Sequence, residues 1–168
     1  AFDPFDENLG IDNPNDYSTS ADDNFGFSVA MSNKYSIVGA YAEDDSDGSR
    51  SGKAYIYNNL SGSLLFTLDN PNDNGTSVDD FFGYSVGISE SYAIVGAPYE
   101  GDTGGTYSGK AYIFDTKDGS LLYTLDNPND YGTAANDQFG RRVAITESYT
   151  IVGVPDEDDA GALDSGKA

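Results

Sequence analysis

Short runs of hydrophobic residues, separated by polar turns, follow one another along the whole chain. Runs that alternate large apolar residues with small or polar ones indicate strands with one packed face, and a continuous apolar run bounded by turns indicates a strand buried on both faces. No stretch has the period of an amphipathic helix, and Gly and Pro interrupt the pattern throughout. The first complete period predicts four short strands: Phe25–Met31, Tyr35–Tyr41, Lys53–Tyr57 and Leu64–Leu68.

The whole pattern recurs every 57 residues, with no insertion or deletion from Asp12 onward. Four strands in a period of this length are typical of a β-propeller blade, whereas a β-sandwich requires no constant spacing. The sequence therefore predicts an all-β fold of about three blades, each with four antiparallel strands, in an open or partial propeller. Small residues of each first strand are expected at the crowded centre. Four motifs carry the repeat: Asn-Pro-Asn-Asp from Asn13, Asn70 and Asn127, Phe-Gly from Phe25, Phe82 and Phe139, Ile-Val-Gly from Ile37, Ile94 and Ile151, and Ser-Gly-Lys-Ala from Ser51, Ser108 and Ser165.

The repeat divides the chain into successive segments of one array. Residues 1–20 are interpreted as the end of a preceding blade, 21–77 as the first blade, 78–134 as the second and 135–168 as an incomplete third. The chain begins with Ala and stops inside a repeated motif, so we interpret it as a processed chain or as a piece of a longer one. We expect further blades or other copies to cover both ends, because exposed strand edges invite pairing.

The composition excludes several kinds of chemical site. The chain has 29 acidic against 8 basic residues, a net charge of −21, and neither Cys nor His. It therefore has no disulfide, no thiolate or imidazole metal ligand and no Ser-His-Asp triad. An acidic surface repels phosphate backbones and anionic lipid, so no nucleic-acid partner and no membrane insertion are expected. Oxygen ligands without His or Cys suit Ca²⁺; the alternative is a charge that serves solubility in a salty medium.

Several motifs resemble the FG-GAP repeat. The resemblance is carried by Phe25–Val29, Phe82–Val86, Ile94–Pro98 and Ser108–Phe114, and it covers essentially the whole chain. That family builds the propeller of integrin α subunits and many bacterial and phage surface proteins, and this sequence is closer to the bacterial and phage variety. The resemblance implies a β-propeller located outside the cell, at the cell surface or in a virion.

One feature of integrin-like blades is missing here. Those blades often carry a calcium loop between their first and second strands, whereas here the connection is only three residues long, as in Ser32–Lys34. The usual calcium site of the family is therefore not carried over to this chain.

Acidic residues recur in the long connections, which follow the second strand and the fourth strand of each predicted blade. In an antiparallel blade these connections lie on one face. Convergent carboxylates repel unless a cation or a hydrogen-bond donor lies between them, so these acids are candidate Ca²⁺ ligands. The alternative is that Asp and Asn cap their own turns. The candidate metal ligands are Glu43 and Asp45, Glu100 and Asp102, Glu157 and Asp159, and Asp23, Asp80 and Asp137, each two residues before a Phe-Gly.

Two further groups of side chains have open roles. Arg141 and Arg142 replace the aromatic-Ser pair of the earlier repeats, and we predict that they pair with neighbouring acids; the alternative is contact with an anionic partner or a neighbouring blade. Tyr55, Tyr57 and Tyr112 fall at strand positions, where packing is expected, whereas exposed tyrosines would be able to stack on sugars.

The repeated acids argue against catalysis. An active site is a single asymmetric set of groups, whereas these acids recur identically in each repeat, so no catalytic residue and no organic cofactor is predicted. Two classes of function remain. The first is a non-enzymatic extracellular binding or adhesion module that holds a protein or glycan on the acidic loop face. The second is a structural component of a surface fibre or of a phage tail or virion.

Overall fold

The computed structural model describes residues 10–15, 21–46, 48–72, 77–101, 105–128, 134–158 and 164–168. All regular structure in these ranges is β-strand, and they contain no helix with the length and hydrophobicity needed to cross a membrane. The strands are β1 Ser28–Met31, β2 Tyr35–Ala40, β3 Lys53–Asn58, β4 Leu64–Asp69, β5 Ser85–Ile88, β6 Tyr92–Ala97, β7 Lys110–Asp115, β8 Leu121–Asp126, β9 Arg142–Ile145 and β10 Thr150–Gly153.

The strands form successive blades. β1 to β4 make one antiparallel sheet in chain order, β5 to β8 make a second, and β9 pairs with β10 in a two-stranded sheet. We call these sheets blades 1, 2 and 3, and each includes the loops between its strands. The predicted all-β, four-stranded architecture is confirmed. Within the described ranges the sheets do not close into a ring, so the propeller is open or partial.

The first strand of each blade begins later than the sequence pattern predicted. β1 starts at Ser28 rather than at Phe25. Asn24 and Gly26 have φ of 58° and 88°, and the Phe27 N–H donates to the Asn24 carbonyl at 3.0 Å. The Phe-Gly dipeptide is therefore part of a tight turn that delivers the chain to the strand.

Hydrophobic residues of two blades meet in one core. The second strands of blades 1 and 2, β2 and β6, are buried along most of their length, as their continuous apolar runs predicted. Phe82 is fully buried, and it belongs to a cluster that combines Ile37 and Ile56 of blade 1 with Val95 and Tyr112 of blade 2. The Phe of the Phe-Gly motif thus fills the space between neighbouring blades.

The blades approach one another most closely along their first strands. β5 lies between β1 and β9. The Val86 N–H donates to the Ser28 hydroxyl at 3.1 Å, and the Val143 N–H donates to the Ser85 hydroxyl at 3.0 Å. A side chain at Gly39 would overlap the carbonyl of Gly83 in the next blade. Gly39 lies on β2 and Gly83 lies two residues before β5, so glycine is required where these backbones meet. The small first-strand residues Ser28 and Ser85 instead accept hydrogen bonds across the junctions.

Candidate functional site

The loop face of the molecule consists of the connections from the second to the third strand and from one blade to the next. The antiparallel strand order places both kinds of connection on the same side of each sheet. All nine predicted metal ligands belong to these connections. The side chains described below determine what this face is able to bind.

A buried glutamate follows the second strand in blades 1 and 2. Glu43 is fully buried, and the Tyr55 hydroxyl lies 2.6 and 2.7 Å from its two carboxyl oxygens. Glu100 and Tyr112 repeat this arrangement with distances of 2.7 Å to both oxygens. We call these the Glu–Tyr pairs. The packing role predicted for Tyr55 and Tyr112 is confirmed, and each phenol also satisfies a carboxyl group.

The environment of the Glu–Tyr pairs favours a protonated carboxyl group. Burial raises the pKa of Glu43 to about 7, although the hydrogen bond from Tyr55 lowers it. Burial raises the pKa of Glu100 to about 8, opposed by the hydrogen bond from Tyr112. Burial, followed by the hydrogen bond to Glu43, also raises the pKa of the Tyr55 phenol. The carboxyl groups of Glu43 and Glu100 therefore bind protons more tightly in the native state than in the unfolded chain.

The equivalent glutamate of blade 3 has an ammonium partner. Glu157 is buried, and the Lys167 ammonium group lies 2.9 Å from its Oε1.

The aspartate before each Phe-Gly is held by asparagine amides. The Asp80 carboxylate accepts from the side chains of Asn70 at 2.9 Å and Asn72 at 2.6 Å. Burial is the largest cause that raises the pKa of Asp80, to about 6, and the two asparagine hydrogen bonds oppose it. Blade 1 repeats the arrangement, since Asn13 and Asn15 donate to Asp23 at 2.8 and 2.7 Å. Asn127 donates to Asp137 at 2.8 Å.

The Asn-Pro-Asn-Asp motif also caps its own turn, as one of the two interpretations predicted. The side-chain oxygens of Asn13 and Asn70 accept from the backbone N–H two residues further on, at 3.1 and 3.2 Å. The link from the asparagines to the later aspartate was not predicted. A signal for it exists in the sequence, because the two motifs keep a constant separation in every repeat.

The predicted metal ligands are not brought together by the part of the chain that the structure describes. In those ranges no group of three or more Asp or Glu side chains converges on one point. Asp45 accepts from the Gly48 N–H at 2.9 Å. Asp102 and Asp159 lie outside the described residues. Calcium binding stays a prediction, and hydrogen-bond donors already accompany several of the carboxyl groups.

An aromatic patch that the repeat pattern did not predict lies on the loop face at the junction of blades 1 and 2. Neighbouring ring centroids in it lie 4.6 to 6.3 Å apart, mostly edge to face. Its two ends are open to solvent, with Phe27 49% and Tyr107 44% exposed. The aromatic patch comprises Phe27, Tyr41, Phe81, Tyr84, Tyr99 and Tyr107.

Arginine side chains border the aromatic patch. The Arg50 guanidinium lies 5.6 Å from the centre of the Phe81 ring and pairs with Asp79 at 2.6 Å. Arg142 lies 5.7 Å from the centre of the Tyr84 ring, in the neighbouring blade. Arg141 lies 3.6 Å from Asp156. The predicted pairing with acids is therefore confirmed for Arg141, whereas Arg142 makes the contact with a neighbouring blade.

The geometry of the loop face is suited to binding. The buried carboxyl groups have phenol, amide or ammonium partners, whereas the exposed feature of the loop face is a row of rings. Rings with open ends offer apolar area and negatively polarised faces, which bind cations and apolar surfaces.

Comparison with known families agrees with this geometry. The FG-GAP repeat matches three segments of the chain, residues 15–57, 72–114 and 130–168. A search of curated proteins gave no match. FG-GAP repeats are commonly extracellular binding or adhesion modules, and they are typically non-catalytic.

Proposed function

Because the chain belongs to the FG-GAP repeat family, we propose that it is a non-enzymatic binding module that holds a protein partner on its loop face. FG-GAP repeats usually occur in extracellular domains, so the proposed location is outside the cell, at its surface or in a virion. The proposal assigns the binding role to the aromatic patch and a supporting role to the buried acids.

The aromatic patch is the single observation on which the proposal depends. Aromatic side chains are enriched where proteins bind one another, because they bury much area with little loss of conformational freedom. Here the rings join two blades, and the outermost rings of Phe27 and Tyr107 are about half exposed. A partner that covers the aromatic patch would remove this apolar area from water, and the rings would lose little conformational freedom.

The negative net charge of the molecule favours a cationic partner. The net charge is −21, so a cationic protein surface is attracted over a long range. Ring faces attract guanidinium and ammonium groups, and Arg50 and Arg142 already occupy two of them. We therefore propose a partner that presents arginine or lysine side chains, with glycans as the competing class of ligand.

The test separates the aromatic patch from the general acidity of the surface. A nona-arginine peptide is titrated against the chain and against the double variant Phe27→Ser with Tyr107→Ser, in buffers of equal salt. The double variant leaves the net charge unchanged, so a loss of about fivefold or more in affinity reports the rings. Leu60→Ser is the matched control, because Leu60 is 87% exposed in the turn between β3 and β4, on the opposite face.

The same proteins are then exposed to an array of neutral oligosaccharides. Glycan binding that depends on Phe27 and Tyr107, without peptide binding, would replace the protein partner by a glycan. If the double variant binds both kinds of probe as the unchanged chain does, the aromatic patch is not the binding site and the proposal is wrong.

A structural role in a surface fibre or virion is the second candidate. The observation that favours it is that the sheets of the described residues do not close into a ring. Ordered, concentration-dependent assembly would support this function, and it is measured independently of any ligand.

A further inference from the structure

An arginine side chain covers the middle of the aromatic patch. Arg50 lies in the loop between β2 and β3, and its guanidinium carbon is 5.6 Å from the centre of the Phe81 ring. The Phe81 ring also contacts Tyr41 and Tyr99, with centroids 5.2 and 4.9 Å away, so it stands between the two halves of the row. The ends of the aromatic patch are therefore open to solvent, whereas its central ring is occupied by a cation from the chain itself.

A carboxylate holds the same guanidinium group. The Asp79 Oδ1 lies 2.6 Å from the Arg50 Nη2, and this carboxylate oxygen is buried. A ring face and a carboxylate oxygen side by side match the two parts of a guanidinium group, its flat face and its N–H edge. We call Asp79 and Phe81 the guanidinium site, and Arg50 is its occupant in this structure.

The occupant is exchangeable. The side chains of Arg50 and Asp79 are 53% and 39% exposed, and ion pairs with this exposure are weak because water competes for both charges. A guanidinium group from another protein makes the same two contacts as Arg50 does. The exchange therefore costs the guanidinium site little, and the area that the partner buries around it decides the outcome.

The backbone under the guanidinium site is fixed independently of the Arg50 side chain. The segment before the second Phe-Gly donates three backbone hydrogen bonds to the loop between β2 and β3, and we call such a set a ladder. Asp79 donates to Ser49 at 3.0 Å, Phe81 to Arg50 at 3.3 Å and Phe82 to Ser51 at 2.9 Å. Removal of the Arg50 side chain leaves these bonds in place, so it empties the guanidinium site without dismantling it.

The guanidinium site does not recur at the next junction, although the ladder does. Asn136 donates to Thr106 at 2.9 Å, Gln138 to Tyr107 at 3.1 Å and Phe139 to Ser108 at 2.9 Å. Tyr107, Asn136 and Gln138 thus stand where the first junction has Arg50, Asp79 and Phe81. The ladder is common to both junctions, whereas the carboxylate, the ring and the cation are found together at one. The guanidinium site is therefore not part of the packing that the repeats share.

The charges around the guanidinium site favour a cation as its ligand. Burial is the largest cause that raises the pKa of Asp80, and the charges of Asp79 and Asp45 raise it further, so the three carboxyl groups lie near one another. Such a surface repels carboxylate and phosphate groups. Arginine suits the site better than lysine, because a planar guanidinium group lies on a ring and donates from its edge at the same time.

We propose that Asp79 and Phe81 bind an arginine side chain of the protein partner, and that Arg50 occupies this site until the partner displaces it. The proposal rests on the proposed function, since it places one arginine of the partner at the middle of the aromatic patch. Arg50 is then a competitor within the chain, and it lowers the affinity for the partner by the fraction of time that it fills the site.

The experiment compares the affinities of a nona-arginine peptide for the unchanged chain, Arg50→Ala and Lys117→Ala. Lys117 is exposed in the turn between β7 and β8, on the opposite face. Both substitutions remove one positive charge, so they strengthen the general attraction of the peptide equally. Arg50→Ala is expected to bind about two to five times more tightly than Lys117→Ala, because the competitor is gone. Equal affinities, or weaker binding by Arg50→Ala, would overturn the proposal.

A small probe tests the guanidinium site without a peptide. Methylguanidinium chloride is titrated to about 50 mM against a sodium chloride control of equal ionic strength, and the backbone amide signals of Asp79 and Phe81 are followed by NMR. Arg50→Ala should show a saturable shift that is smaller in the unchanged chain and is lost when Asp79→Asn is added. Circular dichroism of each variant confirms that the blades are intact. Identical titrations of the single and the double variant would also overturn the proposal.

The two measurements separate this proposal from the proposed function. If peptide binding depends on Phe27 and Tyr107 but neither probe responds to Arg50→Ala, the aromatic patch binds the partner and Arg50 does not compete. If the peptide binds none of the proteins, the proposed function is wrong, and the methylguanidinium titration still decides whether Asp79 and Phe81 bind a guanidinium group.

Discussion

The junction of blades 1 and 2 and the junction of blades 2 and 3 have the same backbone hydrogen bonds but different side chains. The same three-bond ladder joins blade 1 to blade 2 and blade 2 to blade 3. At the first junction the rings of Tyr41, Phe81 and Tyr84 meet above the ladder. At the second, Gln138 hydrogen-bonds to Asp156 and to Arg141.

The difference shows which part of the repeat is under geometric constraint. Backbone hydrogen bonds and closely packed glycines fix how one blade meets the next. A side chain at Gly39 or Gly96 would overlap the backbone of the next blade. The side chains above the ladder are half-buried and differ between the two junctions. Recognition is therefore expected among the side chains of the loop face.

The largest expected effect tests the constraint itself. Gly39→Val places a side chain against the Gly83 carbonyl, where backbone cannot yield, and it should lower the free energy of unfolding by more than about 3 kcal/mol or prevent folding. Gly153→Val makes the same change at a site with open space, and its unfolding curve should shift by less than about 1 kcal/mol. Urea denaturation measures both. Equal losses would contradict the distinction between the filled junction and the open one.

The next effect concerns the titration of the Glu–Tyr pairs. The folded state raises the pKa of Glu43 from 4.5 to about 7 and that of Glu100 from 4.5 to about 8. Raised carboxyl pKa values make the folded state bind more protons than the unfolded state, so this contribution is complete below about pH 4.5 and is lost as pH rises to about 8.

The free energy of unfolding should therefore fall between about pH 5 and pH 8.5, by at least about 2 kcal/mol. Urea denaturation across this range measures the slope. Glu100→Gln, which keeps a hydrogen-bond acceptor for Tyr112 without titrating, should flatten the slope. A stability that rises with pH would show that the pairs are not protonated in the native state.

A smaller effect is expected when one partner of the pair is removed. Tyr112→Phe leaves the buried Glu100 without its phenol and should cost about 1 to 3 kcal/mol in unfolding free energy. The cost should be larger at pH 8.5, where the carboxylate is charged, than at pH 5. Tyr123→Phe is the control, since Tyr123 is 62% exposed on β8. The same cost at both pH values would show that the hydroxyl does not interact with the carboxyl group.

Much of the fold was predictable because it depends on local patterns. Alternation, continuous apolar runs and the constant spacing specify strands, turns and blades. The start of β1 was missed, because the turn around Gly26 is made by backbone conformation and not by hydrophobicity. The sequence predicted a metal ligand at Glu43 and a packing residue at Tyr55, but not a contact between them. Their contact depends on how the loop after β2 folds back over β3, which the pattern does not encode.

The aromatic patch could not be predicted from the repeat. Tyr41 and Tyr99 stand at positions where the other repeats have different residues, such as Pro98 and Ala42. The rings meet because neighbouring blades bring non-equivalent positions together. A comparison of repeats removes that signal, since it keeps only what recurs. Features that differ between blades are the ones expected to carry recognition.

The smallest expected effect concerns calcium and the loops after the second strand. In blade 1, Asp44 accepts from the Arg50 N–H at 2.8 Å, and in blade 3, Asp158 accepts from the Asp164 N–H at 2.9 Å. Blade 2 has Gly101 at the equivalent position. The loop of blade 1 therefore has an acid at Asp44 that blade 2 lacks, and the next residue, Asp45, is a predicted calcium ligand.

Calcium should raise the melting temperature by about 2 to 4 °C over a chelator, because an ion that binds only the folded state stabilises it by mass action. Sodium chloride of equal ionic strength controls for screening of the net charge of −21. Asp45→Asn should reduce the calcium-specific shift, since it takes one charge from the blade 1 loop and leaves an acceptor for the Gly48 N–H. Superimposable melting curves with calcium and with chelator would leave turn capping as the role of these acids, because a carboxylate that already accepts a backbone hydrogen bond needs no cation to be stable.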